Sequence, residues 1–354
     1  MNVEWSAFLQ QAGAVLTANR VSHFDRPESE LRAALDGDLR CDLSHWGLIA
    51  AADSDNESFL QGQLTCDVRQ VTLERSLIGA YCSPKGRALA SFRLFRRGDD
   101  LYLELPRELL ESTLARLRRY LLRAKATLTD VSDAQVGIGV AGPNAAARLT
   151  EILGQVPTTV NEVVQTGASE SAGITLIRLS GSPPRFELHG AMREMQAVWE
   201  ALGSEFVPVG AEPWRLLDIL AGIPTVYPET VEAFVPQMLN LQLLAGISFQ
   251  KGCYTGQEVV ARTHYLGKLK RRMYLARVDS PNPPRPGDPL FSPQTDVSQS
   301  AGRLVDAARH PDGGYAVLAA ALIECAEHGV LQLGDASGPA LQLQPLPYGF
   351  EVAA

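Results

Sequence analysis

Three short apolar segments separated by two tight turns occupy residues 77–105 and constrain the fold of the surrounding chain. The segments are Leu77–Cys82, Ala88–Phe95 and Leu101–Leu105. The first turn, Ser83-Pro84-Lys85-Gly86, has proline and glycine at positions that a β-turn favours. The second turn is Arg97-Gly98-Asp99-Asp100. This alternation predicts a β-meander, so the region should be antiparallel and rich in strands.

The meander is followed by a helix and then by a second series of strands. In the helix, apolar residues recur at spacings of three and four and form one face. These residues are Leu110, Leu114, Leu117 and Leu121. Further strands are predicted at 174–179 and 185–189, before a helix over 192–202. Two successive strand-rich α+β units of similar size suggest an internal duplication.

The pattern changes after Arg272, where short alternating strands are separated by turn sequences about every ten residues. Such spacing is typical of a small all-β barrel. The sequence therefore predicts an α+β chain with two parts. Residues 1–270 should form an α+β region of two subdomains, and residues 271–354 a C-terminal β-barrel.

Composition excludes several classes of protein. No apolar run approaches the roughly 18 residues that a membrane-spanning helix requires, and the first residues lack the pattern of a secretory signal. We therefore expect a cytoplasmic protein without a membrane partner. The five cysteines are scattered and odd in number, which favours free thiols in a reducing compartment.

Metal and nucleotide sites have little support from the sequence. No Cys-x-x-Cys pair is present, and the ligand-like spacing of Cys325 and His328 lacks a second pair. We therefore predict no metal site. Gly137–Gly142 matches the Gly-x-Gly-x-x-Gly pattern of dinucleotide-binding proteins, but its glycines lie within a predicted strand rather than between a strand and a helix. We interpret this run as a glycine-containing strand.

The net charge of −8 argues against a protein that holds nucleic acid mainly through phosphates. One dense basic stretch, Lys268–Arg272, stands against this acidic background. It is interpreted either as a solvated strand edge or linker, or as an anion site for a polyglutamated cofactor tail or an RNA contact.

The segment Gly246–Arg262 contains the residues with the most chemical interest. Thr255 and Glu258 have the spacing of a capping box, so a helix should begin at Thr255. Cys253 would then lie two residues before the cap, near the positive end of the helix dipole.

The neighbouring residues fit the same interpretation. Lys251 adds a nearby cation, and Arg262 is a candidate to fold back towards the thiol. Each of these influences favours thiolate over thiol. Gly252 leaves one side of the thiol open. The alternative is that Cys253 is a small buried residue in a tight turn, and spacing alone does not separate the two.

The run from Lys251 to Glu258, Lys-Gly-Cys-Tyr-Thr-Gly-Gln-Glu, resembles the signature of the YgfZ family. Further segments that resemble this family are 59–65, 83–87, 234–237, 240–242 and 246–249. The expected site is Cys253 as the reactive thiol, supported by Lys251, Gly252, Tyr254, Gly256, Gln257, Glu258 and Arg262.

The resemblance implies a fold similar to the glycine-cleavage aminomethyltransferase and to the folate domains of sarcosine and dimethylglycine dehydrogenases. It also implies a pocket for folate, as tetrahydrofolate, in the α+β region. The implied role is the maintenance of iron–sulfur client enzymes, including those that methylthiolate tRNA. Direct contact with tRNA stays open, and the acidic net charge favours an indirect effect.

The sequence departs from the aminomethyltransferases at two places. Their segment matching Gly86–Ser91 ends in paired aspartates, where this chain has Ala90 and Ser91. Without a carboxylate, proton transfer at the folate amine lacks an obvious general base. Asp218 stands where the relatives carry glutamate, and with Arg215 it is the candidate for folate binding. An ordinary surface aspartate is the alternative for Asp218.

Three hypotheses follow for the function. The first is a folate-binding accessory protein that uses Cys253 in the assembly or repair of iron–sulfur clusters. The second is a tetrahydrofolate-dependent aminomethyltransferase or demethylase. The third is a non-catalytic adaptor that docks client enzymes and uses folate only as a structural ligand.

Overall fold

The computed structural model describes residues 1–18, 20–169, 172–265, 267, 269–295 and 300–350. The chain divides into two compact units. The first unit contains residues 1–60, 68–77 and 93–217, and the second contains residues 61–67, 78–92 and 218–354. Among the described residues, no helix is both long and apolar enough to cross a membrane.

The helices and strands are numbered here in chain order. The α-helices are α1 (Val3–Gln11), α2 (Pro27–Asp36), α3 (Asn56–Gln61), α4 (Arg107–Arg118), α5 (Ala145–Leu153), α6 (Met192–Ala201), α7 (Ala211–Leu220), α8 (Gln257–Tyr265) and α9 (Ile323–His328). The strands up to residue 141 are β1 (Val15–Thr17), β2 (Arg20–His23), β3 (Leu39–Asp42), β4 (Trp46–Ala52), β5 (Leu77–Cys82), β6 (Ala88–Arg97), β7 (Asp100–Pro106), β8 (Thr127–Asp130) and β9 (Val136–Ala141). The later strands are β10 (Val163–Ser169), β11 (Ala172–Leu179), β12 (Arg185–Gly190), β13 (Val207–Val209), β14 (Arg271–Val278), β15 (Pro289–Phe291), β16 (Gly302–Arg309), β17 (Tyr315–Leu322), β18 (Gln332–Leu333) and β19 (Gln342–Gln344). Short 3₁₀ helices lie at Val68–Gln70, Pro228–Thr230, Pro236–Leu239 and Leu241–Leu244.

The first unit is built on antiparallel sheet. Six strands follow the order β10-β11-β12-β9-β3-β13, in which only the β3–β13 pair is parallel. Also in this unit, Arg93–Arg97 of β6 pairs with β7, which pairs with β4, and β4 pairs with β8. Trp5 of α1 and Trp199 of α6 are almost completely buried in the core beside the six-stranded sheet.

The meander prediction is confirmed. β5 ends at Cys82 as expected, and β6 runs two residues beyond the predicted Phe95. Proline and glycine in the intervening turn act locally, so the turn can be predicted without knowledge of the tertiary fold. Gly86 has a φ of +67°, the left-handed conformation that glycine adopts without strain.

Gly137 and Gly139 of the Gly-x-Gly-x-x-Gly run lie in β9 as predicted, and Gly142 follows its last residue. β9 pairs with β12 on one side and β3 on the other. A Cβ atom at Gly139 would lie 2.6 Å from the ring of Trp214, so a side chain there would clash. Close packing of an aromatic ring therefore explains one of these glycines.

The C-terminal part of the second unit is a curled antiparallel sheet with the order β18-β15-β16-β17-β14-β19. Its two end strands approach one another through a bridge between Gln332 and Ala340 and a backbone hydrogen bond from Leu341 N to Leu331 O. Its interior contains mostly alanine, valine and leucine side chains. The expected C-terminal β-structure is confirmed as a curled antiparallel sheet, but the part is not all-β, because the short helix α9 lies between β17 and β18.

The basic stretch is placed at the start of this sheet. Lys268 lies outside the described residues. Arg271 and Arg272 are the first residues of β14. Arg271 Nη2 donates to Ser300 O at 2.8 Å, and the Arg272 guanidinium pairs with Glu327. Both arginines therefore have partners within the chain.

Candidate functional site

The candidate thiol lies on the segment Gly246–Gly256, which precedes α8. α8 begins at Gln257, so the prediction of a helix start at Thr255 is wrong by two residues. Gly256 has a φ of +83°, which lies outside the helical region. Gln257 N donates to Tyr254 O at 3.1 Å, so a turn comes before the helix.

Thr65 fixes the beginning of this segment. Its Oγ1 donates to Gly246 O at 2.6 Å and accepts from Ala80 N at 2.9 Å. Its backbone oxygen accepts from Ser248 N at 2.9 Å. Thr65 is completely buried, so these bonds satisfy polar groups that have no access to water. The segment 59–65, which resembles the family on sequence alone, thus ends in a residue that anchors the candidate site.

Lys251 anchors the middle of the segment. Its side chain is buried, and Nζ donates to Leu64 O and to Cys66 O, both at 2.7 Å. Nζ also lies 5.2 Å from the centre of the Tyr254 ring. A buried ammonium is tolerated when such acceptors replace its hydration shell. The structure thus gives Lys251 an anchoring role that spacing to Cys253 did not predict.

Replacing Lys251 by methionine is expected to lower the free energy of unfolding by about 2 kcal/mol, because two buried carbonyl groups lose a charged donor. Urea denaturation measures this change. Lys85→Met is the matched control, since Lys85 is exposed on the turn of residues 83–86 and should change stability by less than about 0.5 kcal/mol. Equal effects of the two substitutions would contradict an anchoring role for Lys251.

Two glycines bring the turn of residues 83–86 against the end of the thiol segment. A Cβ atom at Gly256 would lie 2.4 Å from Ser83 O and 2.9 Å from the Cα of Gly86. A Cβ atom at Gly86 would lie 2.7 Å from the Cβ of Val259 on α8. Sequence segments more than 160 residues apart therefore meet at a contact that leaves no room for side chains.

Cys253 is the exposed cysteine among five free ones, and Cys41, Cys66, Cys82 and Cys325 are buried. Burial raises the pKa of Cys66 and of Cys82 to about 12, so both remain thiols near neutral pH. Gly252 is also exposed, and a Cβ there would meet nothing within 4 Å. The alternative interpretation of Cys253 as a small buried residue is therefore wrong.

The other motif residues differ in how far their side chains are exposed to solvent. Tyr254 is buried, and burial together with the nearby Cys82 and Cys66 raises the pKa of its hydroxyl. Glu258 and Arg262 are exposed on α8. Gln257, the first residue of α8, is partly exposed. The structure thus places an accessible thiol between two buried residues, Lys251 and Tyr254.

By the sequence resemblance, Ser91 stands where the aminomethyltransferases carry an aspartate. It is buried, and its Oγ accepts from Val226 N at 2.9 Å. The hydroxyl therefore holds the backbone. Serine cannot supply the charge of a carboxylate, so this position offers no general base.

Arg215 and Asp218 both lie on α7. Asp218 is 9% exposed, which rules out an ordinary surface aspartate. Within the described part of the second unit, the buried side-chain oxygens of Gln63 and Gln242 lack a hydrogen-bond donor. A pterin ring presents amide and amino donors, so a buried carboxylate and such oxygens suit it chemically. These residues therefore supply hydrogen-bond acceptors of the kind that a pterin ring requires.

Comparison with known proteins gives concordant results. The family model described as the GCVT N-terminal domain matches residues 4–247. The tRNA-modifying protein YgfZ of Yersinia pseudotuberculosis serotype IB (strain PB1/+) is 35% identical over 306 residues, which cover 86% of this chain and 91% of the relative. The protein of the same name from Yersinia pseudotuberculosis serotype O:1b (strain IP 31758) is 34% identical with the same coverage.

A solved structure supports the same fold. The crystal structure of glycine cleavage system aminomethyltransferase T from Bartonella henselae matches with a TM-score of 0.78 and 17% sequence identity. The match covers 98% of this chain and 97% of that chain, so the fold is aminomethyltransferase-like along nearly its whole length. The chain therefore belongs to the GCVT N-terminal domain family and, within it, to the YgfZ family.

Proposed function

We propose that the protein is a folate-binding accessory protein that supports the assembly or repair of iron–sulfur clusters, and thereby the methylthiolation of tRNA, through the thiol of Cys253. Two YgfZ relatives bear the name tRNA-modifying protein. The observation that carries the proposal is an exposed thiol on a segment whose neighbouring residues Lys251 and Tyr254 are buried. An accessible thiol on an anchored segment can react with a partner without rearrangement of the core.

The cofactor in this proposal is tetrahydrofolate, which carries one-carbon units on a pterin ring nitrogen and on the neighbouring bridging amine. Asp218 would accept hydrogen bonds from the pterin amide and amino groups. The buried side-chain oxygens of Gln63 and Gln242, which belong to the same unit as Asp218, are further candidate acceptors. Arg215, on the same helix as Asp218, is a second candidate for folate binding.

Asp218→Asn is expected to weaken tetrahydrofolate binding by about 10-fold or more, because charge-assisted hydrogen bonds become neutral ones while the side-chain volume is unchanged. Calorimetric titration of the full chain with tetrahydrofolate measures the change. Asp335→Asn, on an exposed turn of the same unit, serves as the control and should bind normally. The assignment fails if both variants bind with the affinity of the wild type.

The partners in this proposal are iron–sulfur enzymes, such as tRNA methylthiolases, rather than tRNA itself. The net charge is −8, and the two described arginines of the basic stretch have partners within the chain. Damage to the cluster of a modifying enzyme would alter tRNA without any RNA contact. The five free cysteines agree with the reducing conditions of the cytoplasm, where we place the protein.

The alternative of a true aminomethyltransferase or demethylase is disfavoured by Ser91, whose hydroxyl holds the backbone at Val226. We expect no formation of methylene-tetrahydrofolate from a methylamine donor. The adaptor alternative makes a different prediction, since an adaptor would not require a thiol at position 253.

The test of the proposal is complementation of a strain that lacks its own YgfZ protein. Expression of this chain should restore the methylthiolated fraction of tRNA, measured by mass spectrometry of digested tRNA. The activity of a purified iron–sulfur methylthiolase from the same cells should recover in parallel. Abundant, folded protein that restores neither quantity would exclude the proposal.

A further inference from the structure

A buried group of potential metal ligands lies in the first unit, among residues that the proposed function does not use. It consists of Glu104 on β7 and of Glu187 and His189 on β12, and is called here the Glu–His cluster. Glu187 and His189 are two residues apart on one strand, so their side chains lie on the same face. All three side chains are at least nine-tenths buried.

The distances within the Glu–His cluster suit a shared ion. His189 Nε2 lies 3.7 Å from Glu104 Oε1, and one ligand atom from each of the three residues lies within 4.8 Å of the others. Two ligand atoms bound to one tetrahedral Zn²⁺ ion are about 3.4 Å apart, given bond lengths near 2.0–2.1 Å. The separation of His189 Nε2 and Glu104 Oε1 is close to this value, and the ligand atom of Glu187 lies within 4.8 Å of both.

The imidazole of His189 supplies an independent observation. Among the described residues, its Nε2 has no hydrogen-bond partner, although it is buried. A buried polar atom without a partner is unfavourable, so a ligand that used this nitrogen would relieve that cost. This nitrogen faces the carboxylate of Glu104.

Neighbouring side chains hold two of the ligands in place. Arg93 Nε lies 3.3 Å from Glu187 Oε2, and Arg93 Nη1 donates to Asn161 Oδ1 at 3.0 Å. The His189 ring stacks on Phe95 with 4.9 Å between ring centres. Metal sites use such surrounding contacts to orient carboxylate and imidazole ligands.

The positive charges near the cluster belong to arginines. Arg97 also faces His189, but its guanidinium donates to Gln135 Oε1 and to Gly173 O. The positive charge of these arginines lowers the affinity of the cluster for a cation. An ion can therefore bind tightly only if its bonds to the three ligand atoms outweigh this repulsion. A ligand set of one nitrogen and two carboxylates suits a divalent transition metal better than calcium or magnesium.

We propose that the Glu–His cluster binds one divalent transition-metal ion, with Zn²⁺ as the expected ion. The site is independent of Cys253 and of folate, so it does not rest on the proposed function. Because β7 and β12 belong to two different sheets, such an ion would act as a structural crosslink between those sheets.

The test is metal binding by the full-length protein after treatment with a chelator. The stripped protein is loaded with Zn²⁺ and dialysed, and elemental analysis should then find one equivalent of Zn²⁺ per chain. Addition of Zn²⁺ should also raise the melting temperature of the wild type. His189→Gln should weaken binding by roughly 100-fold. His328→Gln is the matched control, because His328 is an exposed histidine of the second unit with ligand-like spacing to Cys325.

Two outcomes overturn the proposal. One is a wild-type protein that takes up no stoichiometric Zn²⁺ and shows no thermal shift, which would mean that arginine pairing alone balances the buried carboxylates. The other is loss of binding in His328→Gln with normal binding in His189→Gln. If His189→Gln does not fold, the stoichiometry and thermal shift of the wild type, compared with His328→Gln, still decide the question.

Discussion

Replacing Cys253 by serine is expected to abolish complementation of tRNA methylthiolation while leaving the melting temperature within about 1 °C of the wild type. The substitution exchanges one atom on an exposed residue, and such changes rarely alter stability by more than about 0.5 kcal/mol. Serine keeps the approximate shape of the side chain but lacks the nucleophilic sulfur. A large loss of function with unchanged stability would therefore identify the thiol as the functional group.

Thiol labelling provides the matching physical control. In the native wild type, one cysteine of five should react rapidly with a thiol reagent, and all five should react in denaturant. Cys253→Ser should lose the fast reaction. If Cys253→Ser restores methylthiolation as well as the wild type does, the thiol is dispensable and the adaptor hypothesis is favoured.

The largest expected effect on stability is that of Gly256→Ala, which should lower the free energy of unfolding by about 3 kcal/mol. A non-glycine residue at a φ of +83° is strained by about 1–3 kcal/mol. The new methyl group would also lie 2.4 Å from Ser83 O, so the turn of residues 83–86 must move away. The denaturant midpoint measures the combined effect.

Gly252→Ala is the matched control for this substitution. Both glycines flank the thiol region, but a Cβ atom at Gly252 would meet nothing within 4 Å. The control should therefore change the free energy of unfolding by less than about 0.5 kcal/mol. If both variants lose the same free energy of unfolding, the close contact between Gly256 and Ser83 O does not stabilise the segment.

Elements defined by local turn chemistry were predictable from sequence, and helix ends were less so. The strands around the turn of residues 83–86 begin and end close to their predicted positions. Apolar residues recur at helical spacing from Val3 to Leu16, a pattern that predicts one amphipathic helix, but α1 ends at Gln11. Gly13 has a φ of +95° there, and Val15–Thr17 forms a strand with β2. Apolar spacing alone did not distinguish these few residues of strand from helix.

The candidate site was predictable as a set of residues but not as a set of contacts. Sequence patterns identified Cys253 and its neighbours. The partners of Lys251 are backbone carbonyls near residue 65, and a carbonyl has no signature in the sequence. The Glu–His cluster was missed for a similar reason. Glu104 and Glu187 are 83 positions apart, and strand packing in the folded chain brings them together.

The burial pattern around Cys253 affects how sequence searches with this signature should be interpreted. Lys251 and Tyr254 are buried, whereas Gly252 and Cys253 between them are exposed. A homologue could therefore retain the lysine, the tyrosine and Gly256 because its loop must fold, and yet have lost the thiol. Matching the eight-residue run predicts loop architecture, and the cysteine has to be scored separately before chemistry is assigned to a new sequence.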